Sequence, residues 1–250
     1  MNHALDVAGK EVMESMRRSV LCLWGTLSLA VLMIIGVFPA MEAFAQQGRY
    51  TVLIDPAHGG EETGVVADGI REKDLTLKIA LLIRQEGRKA PNLQFQLTRS
   101  ADVKMSIAER IKAAGAIKPN CIVSIHINAG FGKNASGYEV YFPGFGQSSA
   151  AGGESTPILK DMVKNRYLND SVRLAQQIQA GLETVFPRKG RGLRDAPVPL
   201  LEGVTIPGVA VEVGFATNAE DRKKLTEEET HKAVARAVVQ GLQNYFQNAP

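Results

Sequence analysis

Apolar positions along the chain fall into two rhythms. Short, strongly apolar or alternating runs occur at "YTVLI" (50–54), "LQFQLTR" (93–99), "CIVSIHINA" (121–129), "GYEVYF" (137–142) and "GVAVEVGFAT" (208–217), and each reads as a strand. Between them come stretches with helical spacing. Residues 72–90 place Leu75, Ile79, Leu82 and Ile83 on one face. Residues 106–118 open with Ser106 and Glu109, a capping box. A third helix is expected over 171–186 with Asp170 as its cap. A last one is expected to start near Thr226, with Glu229 completing a second box. This alternation predicts an α/β fold: a single domain with a mostly parallel twisted sheet flanked by helices on both faces. A Gly- and Ser-rich loop is expected over 143–157.

The first 45 residues break the pattern. Arg17 and Arg18 precede an uncharged apolar run from Val20 to Ala40, and Ala43-Phe44-Ala45 follows. This order is that of a secretory signal, with an h-region at 20–40 and cleavage after Ala45. The run is also long enough to span a bilayer, so membrane attachment is expected only if the leader stays uncut. The segment Met1 to Glu14 makes the leader unusually long, and Met16 is an alternative translation start. The expected domains are thus 1–45, leader, and 46–250, catalytic domain. The protein is expected to be exported to the periplasm or cell-wall space.

Charge and cysteine content narrow the function classes. The 250 residues carry a formal net charge of +3, too mild for a nucleic-acid footprint. Of the two cysteines, Cys22 lies in the leader, so Cys121 has no intrachain partner and reads as a small buried hydrophobe.

Four polar residues then stand out against their apolar settings. His58 follows the first strand inside "DPAHGG". In "SIHINA", a period of two puts Ser124, His126 and Asn128 on one side. Glu212 interrupts the apolar run "VAVEVGF", where a buried carboxylate needs a partner, a metal or a changed protonation state. Glu72 opens the first helix. On this reading all four could meet at one strand edge, where α/β proteins bind ligands. Two histidines and one glutamate form a catalytic zinc shell, and a further carboxylate can act as general base. The spacing matches no short metal motif. Taken alone, it leaves open a loop histidine, a core histidine and a helix-starting glutamate.

The segments "VLIDPAHGGEETG", "GIREKDLTLKIALLI", "LTRSAD", "IVSIHINA", "GYEVYF" and "VAVEVGFATN" resemble, in this order, the zinc-dependent N-acetylmuramoyl-L-alanine amidases of the type-3 amidase family. The resemblance covers nearly all of 50–245. It implies zinc (Zn2+) held by His58, Glu72 and His126, with Glu212 as the catalytic glutamate. It implies cleavage of the amide between N-acetylmuramic acid and the L-alanine of the stem peptide. Peptidoglycan is then the substrate, and a protein activator is a candidate partner. Asp55 is read either as orienting His58 or as part of an Asp-Pro turn. Asn128 and Arg194 are read as substrate contacts or as structural residues.

The chain departs from the family pattern at Ala57, where glycine is more usual, and at Glu61, Glu62 and Thr63. The segment "AERIKAAGA" also lacks the family's usual Ala-Asn ending. The segment 143–170, a Gly/Ser loop followed by residues 157–170, is read as a connector, or as a short lid that brings Glu154 or Asp161 to the metal. Two other readings stay open: an exported zinc carboxypeptidase acting on stem peptides, and a non-catalytic wall-binding module. The intact Glu72 and Glu212 weigh against the second.

Overall fold

A computed structural model of the chain describes residues 49–130, 132, 134–144, 156–187 and 189–248; over 156–166 it describes the course of a helix only. The elements run β1 (Tyr50–Pro56), β2 (Val66–Ala67), β3 (Ile70–Arg71), α1 (Glu72–Glu86), a 3-10 turn (Gly87–Lys89), β4 (Leu93–Leu97), α2 (Ile107–Ile117), β5 (Cys121–Asn128), β6 (Tyr138–Pro143), α3 (Thr156–Val185), β7 (Gly190–Ala196), α4 (Pro199–Glu202), β8 (Gly208–Phe215), α5 (Ala219–Thr226) and α6 (Glu228–Gln247). The main sheet has the order β4-β1-β5-β8-β6-β7. The first four strands in this order are mutually parallel. β6 meets β8 antiparallel and β7 runs with β6. A small antiparallel β2-β3 hairpin lies apart.

Strand periodicity divides the side chains between two cores. Val52, Ile54, Val123, Ile125, Val140, Val211 and Val213 pack into the larger core with α1, α3 and α6. Leu53, Ile122 and Ala210 point the other way, into a smaller core with Ala114 of α2 and Leu200 and Leu201 of α4. Further along the strands, on this second face, the sequence turns polar: Asp55, Ser124, His126 and Glu212. Helices cover both faces as the alternation predicts, and the thinner cover over the second face leaves room for chemistry.

Several expectations change. The helix expected at 171–186 is the second half of α3, which begins at Thr156. Asp170 is therefore not a cap, and its carboxylate takes Arg173 at 3.1 Å, one turn on. Thr226 does not start the last helix. It ends α5, its hydroxyl donates to the Lys223 carbonyl, and α6 begins at Glu228 with no side-chain cap. Glu229 pairs with Lys232 instead. The Ser106–Glu109 capping box is present in full. The leader, Glu154 and the side chain of Asp161 lie outside the described residues. Among the described residues, no helix is long and apolar enough to cross a membrane.

Candidate metal centre and general base

β1 ends at Pro56, and a tight loop carries His58 over the edge of the sheet. His58 itself adopts the left-handed conformation, at φ 59°, whereas Ala57 does not. Alanine in place of glycine at 57 is thus neutral for the backbone. Two buried arginines hold this loop. Arg99 donates to the Pro56 and Ala57 carbonyls at 3.0 and 2.9 Å. Arg110 donates to the His58 carbonyl at 2.7 Å and to Pro56 at 2.9 Å.

Glu72 is the first residue of α1, and its buried carboxylate is the hub of the site. His58 Nε2 lies 3.1 Å from Oε2, and His126 Nδ1 lies 3.3 Å from Oε1. The N–H groups of Val65 and Ile127 donate to the same two oxygens at 2.9 and 3.1 Å. Burial favours the neutral acid, but the bonds from His126, His58 and Val65 outweigh it and hold Glu72 well below the usual carboxylate range. One donor atom from each of His58, Glu72 and His126 lies within 4.8 Å of the others. Two imidazoles and an anionic carboxylate, converging at the edge of a cleft, make a donor set that fits a divalent zinc ion.

The hydrogen bonds of His126 select its tautomer. Its Nε2 lies 3.0 Å from Ser124 Oγ, and Ser124 Oγ donates to Asp55 Oδ2 at 2.8 Å. A hydroxyl has one proton. With that proton on Asp55, the serine oxygen accepts from Nε2–H, so the proton that a metal would displace is the one on Nδ1, which faces Glu72. Asp55 thus acts on His126 through Ser124. Its other oxygen is taken by Thr98 and Arg110. Of the two readings of Asp55, an orienting role is the one this geometry favours, but toward His126 and not His58.

Glu212 lies on β8 directly opposite His126 in the ladder. Just beyond this pair the register slips by one residue. Such irregularities re-aim side chains beside active sites. Glu212 Oε2 is buried and accepts no hydrogen bond. Burial pushes its pKa up to about 7; His126 opposes the shift, and the negative Glu72 and Glu139 reinforce it. A cavity of about 270 Å³ opens beside the two histidines, with Met105, Ile107, Val198 and Leu200 among its walls.

Sequence reasoning missed Glu139, although the same signal that marked Glu212 was present: a carboxylate inside an apolar run. Glu139 is buried opposite Glu212 on β6. It gathers Asn128 and Tyr141 at 2.8 and 2.6 Å, and Arg191 and Arg194 at 2.8 and 3.5 Å. Asn128 and Arg194 thereby both meet this carboxylate. Arg110 was missed as well. The clue was its place four residues before Ala114, on the buried face of α2.

An α/β sheet brings two histidines and a glutamate together at the ends of its parallel strands, with a carboxylate on the next strand that has no hydrogen-bond partner among the described residues; the class of protein this suits is a hydrolase with a candidate metal site. Residues 52–244 match the family model described as N-acetylmuramoyl-L-alanine amidase, and the chain belongs to this family. It is 32% identical over 224 residues to the uncharacterized protein YqiI of Bacillus subtilis, covering 90% of this chain and 98% of YqiI. It is 29% identical to the N-acetylmuramoyl-L-alanine amidase LytC of the same organism, covering 89% of this chain but only 42% of LytC. Among solved structures, the catalytic domain of CwlV, an N-acetylmuramoyl-L-alanine amidase from Bacillus (Paenibacillus) polymyxa, superposes with a TM-score of 0.67 at 26% identity. The match covers 80% of this chain and 99% of that solved catalytic domain.

Proposed function

We propose that this amidase is zinc-dependent, that His58, Glu72 and His126 are its ligands, and that Glu212 is its general base. The bond cut is the amide between N-acetylmuramic acid and L-alanine in peptidoglycan. The observation that carries the reading is the placement of Glu212. Its unpaired carboxylate sits on the strand next to His126, beside the three-donor cluster. When bound there, zinc supplies a Lewis acid for the scissile carbonyl and lowers the pKa of water.

The protein's own part is proton handling and positioning. Glu212, whose burial makes its carboxylate a stronger base than usual, takes a proton from the attacking water and returns it to the leaving α-amine of L-alanine. Oε2 has no competing donor, so it is available to that water. Ser124 and Asp55 hold His126 in one tautomer, and Arg110 and Arg99 hold the His58 loop. The cavity beside the histidines offers a partly apolar wall to the substrate.

The order Arg-Arg, apolar run, Ala-Phe-Ala supports removal of residues 1–45 on export, which places the enzyme where its substrate lies. A protein activator remains a candidate partner within the same proposal.

The test is product analysis on intact peptidoglycan, with zinc, with chelator, and with Glu212→Gln. Stem peptides bearing a free N-terminal L-alanine, released only by the zinc-loaded wild type, are the expected result. Release of C-terminal amino acids instead would identify a carboxypeptidase.

A further inference from the structure

β7 is an edge strand with almost no apolar pattern, yet it carries two arginines to the active-site side of the sheet. Between the pairs Tyr138↔Gly190 and Val140↔Leu193, β7 spends one residue more than β6. Gly192 within this bulge has φ 89°, a conformation that glycine tolerates and other residues resist. Simple alternation would put Arg191 on the same face as Leu193, which packs against the larger core. The bulge turns it, and Arg191 joins Arg194 at Glu139.

The cluster is electrostatically unbalanced. Glu139 brings one negative charge and already receives Asn128 and Tyr141. The two guanidinium groups bring two positive charges. Arg191 binds Glu139 through Nε at 2.8 Å and rests over the Phe215 ring, with its Cζ 5.3 Å from the centroid. Among the described residues its two Nη groups have no partner. Arg194 touches Glu139 only at 3.5 Å. The side chains remain 38% and 47% exposed. A buried carboxylate needing only neutralisation would not require a second, loosely held and half-exposed cation.

We propose that Arg191 and Arg194 form a subsite for a carboxylate of the stem peptide, reading the free α-carboxylate of the residue after L-alanine. This rests on the amidase reading above. Glu139 is the cross-strand neighbour of Glu212. β7 lies two strands, about 10 Å, from β8. An extended chain advances about 3.5 Å per residue. A carboxylate one or two residues past the scissile amide therefore falls within reach of arginines that lean back toward Glu139. Guanidinium groups suit this task, because two N–H donors can meet two carboxylate oxygens. Arg191 is the ordered half of the pair and Arg194 the half that moves to the ligand.

The test is binding of muramyl-L-alanyl-D-isoglutamate and of its α-amide to zinc-loaded Glu212→Gln protein, measured by calorimetry. The free acid should bind about tenfold more tightly, the scale of a charge-assisted contact. Adding Arg194→Gln should abolish that preference, and Arg194→Lys should restore part of it. Because Arg194 makes only a long contact with Glu139, its loss leaves the fold intact, and an unchanged melting curve checks this. Equal binding of acid and amide, no binding of either, or a preference that survives Arg194→Gln each overturns the subsite. Cleavage of both compounds by the wild type in those cases would leave the amidase reading standing. Absence of cleavage on intact peptidoglycan would remove that reading instead.

Discussion

His126 and Glu212 are register partners on adjacent parallel strands, β5 and β8, so their side chains emerge side by side from one face of the sheet. The pairing separates two tasks that a single carboxylate could not perform together. Glu72, anionic and saturated with donors, suits metal binding, whereas Glu212, without a partner, suits proton transfer.

Replacing Glu212 with Gln should lower kcat by about 10²- to 10⁴-fold, the range of a general-base contribution. Zinc content by atomic spectroscopy should stay at the wild-type level, since the donor cluster is untouched. In the wild type, activity should fall on the acid side, below about pH 7, as Glu212 gains its proton, because a bound cation lowers its pKa from the metal-free value of about 7. Loss of zinc from the variant would mean that Glu212 is a ligand, not a base.

The same residue should leave a mark on stability. In the metal-free protein, burial raises the pKa of Glu212 to about 7 from the 4.5 of a free glutamate side chain. The folded state therefore holds this proton more tightly than the unfolded state does. The resulting stabilisation is complete below about pH 4.5 and is lost as pH rises through about 7. Urea titrations of wild type and Glu212→Gln should diverge over that window, with the Gln variant losing less stability as pH rises. Parallel pH profiles would show that Glu212 is solvated in solution.

Much of this arrangement was legible in the residues themselves. The strands β1, β5 and β8 announce themselves as apolar runs, because their interiors bury completely. His58, Glu72, His126 and Glu212 stand out because they are polar where those runs end or break. Other features compete with local signals and were hidden. Thr226 and Glu229 have the spacing of a capping box, but Thr226 is consumed by the end of α5. Asp170 looks like a cap only when the helix before it goes unseen. That helix begins with Thr156-Pro157, and proline, which reads as a breaker, is tolerated in a first turn. β7 escapes because an exposed edge strand with a glycine bulge has no period-two pattern. The Asp55–Ser124–His126 relay is beyond any sequence pattern, since it joins neighbouring strands.

Ser124→Ala should test that relay. Without the hydroxyl, His126 Nε2–H loses its acceptor and the Nε2–H tautomer loses its preference. Zinc affinity should fall about 10- to 100-fold, as when outer partners of metal ligands are removed, measured by competition with a chromophoric chelator. Ser124→Thr, which keeps the hydroxyl, should bind closer to the wild type. Unaltered affinity in Ser124→Ala would mean that the ring orientation is set by packing alone.

Arg110→Met should be costly for the fold. Arg110 is buried and joins the Asp55 carboxylate to the His58 carbonyl. Methionine keeps much of the side-chain volume and removes the charge, leaving Asp55 with Thr98 and Ser124 alone. Breaking one side of a buried ion pair costs about 3–5 kcal/mol, read as a shift in the urea midpoint. Asp55→Asn combined with Arg110→Met should recover part of that loss, because the stranded negative charge is gone. A single variant within about 0.5 kcal/mol of the wild type would show that water replaces the guanidinium.

Gly64 offers the most local test of the site's shape. Its φ is 64°, and a Cβ placed there would meet Glu72 Oε2 and the His58 ring. Neither can retreat easily. Glu72 Oε2 is held by the Val65 N–H, and the His58 backbone is held by Arg110. Gly64→Ala should therefore push Glu72 and His58 apart and impair zinc binding more than it lowers the melting temperature, because the cores lie elsewhere. Gly69, with φ 83° and nothing near its missing Cβ, supplies the control for backbone strain without a clash. If Gly64→Ala and Gly69→Ala lose zinc equally, the loop and not the contact with Glu72 governs the site.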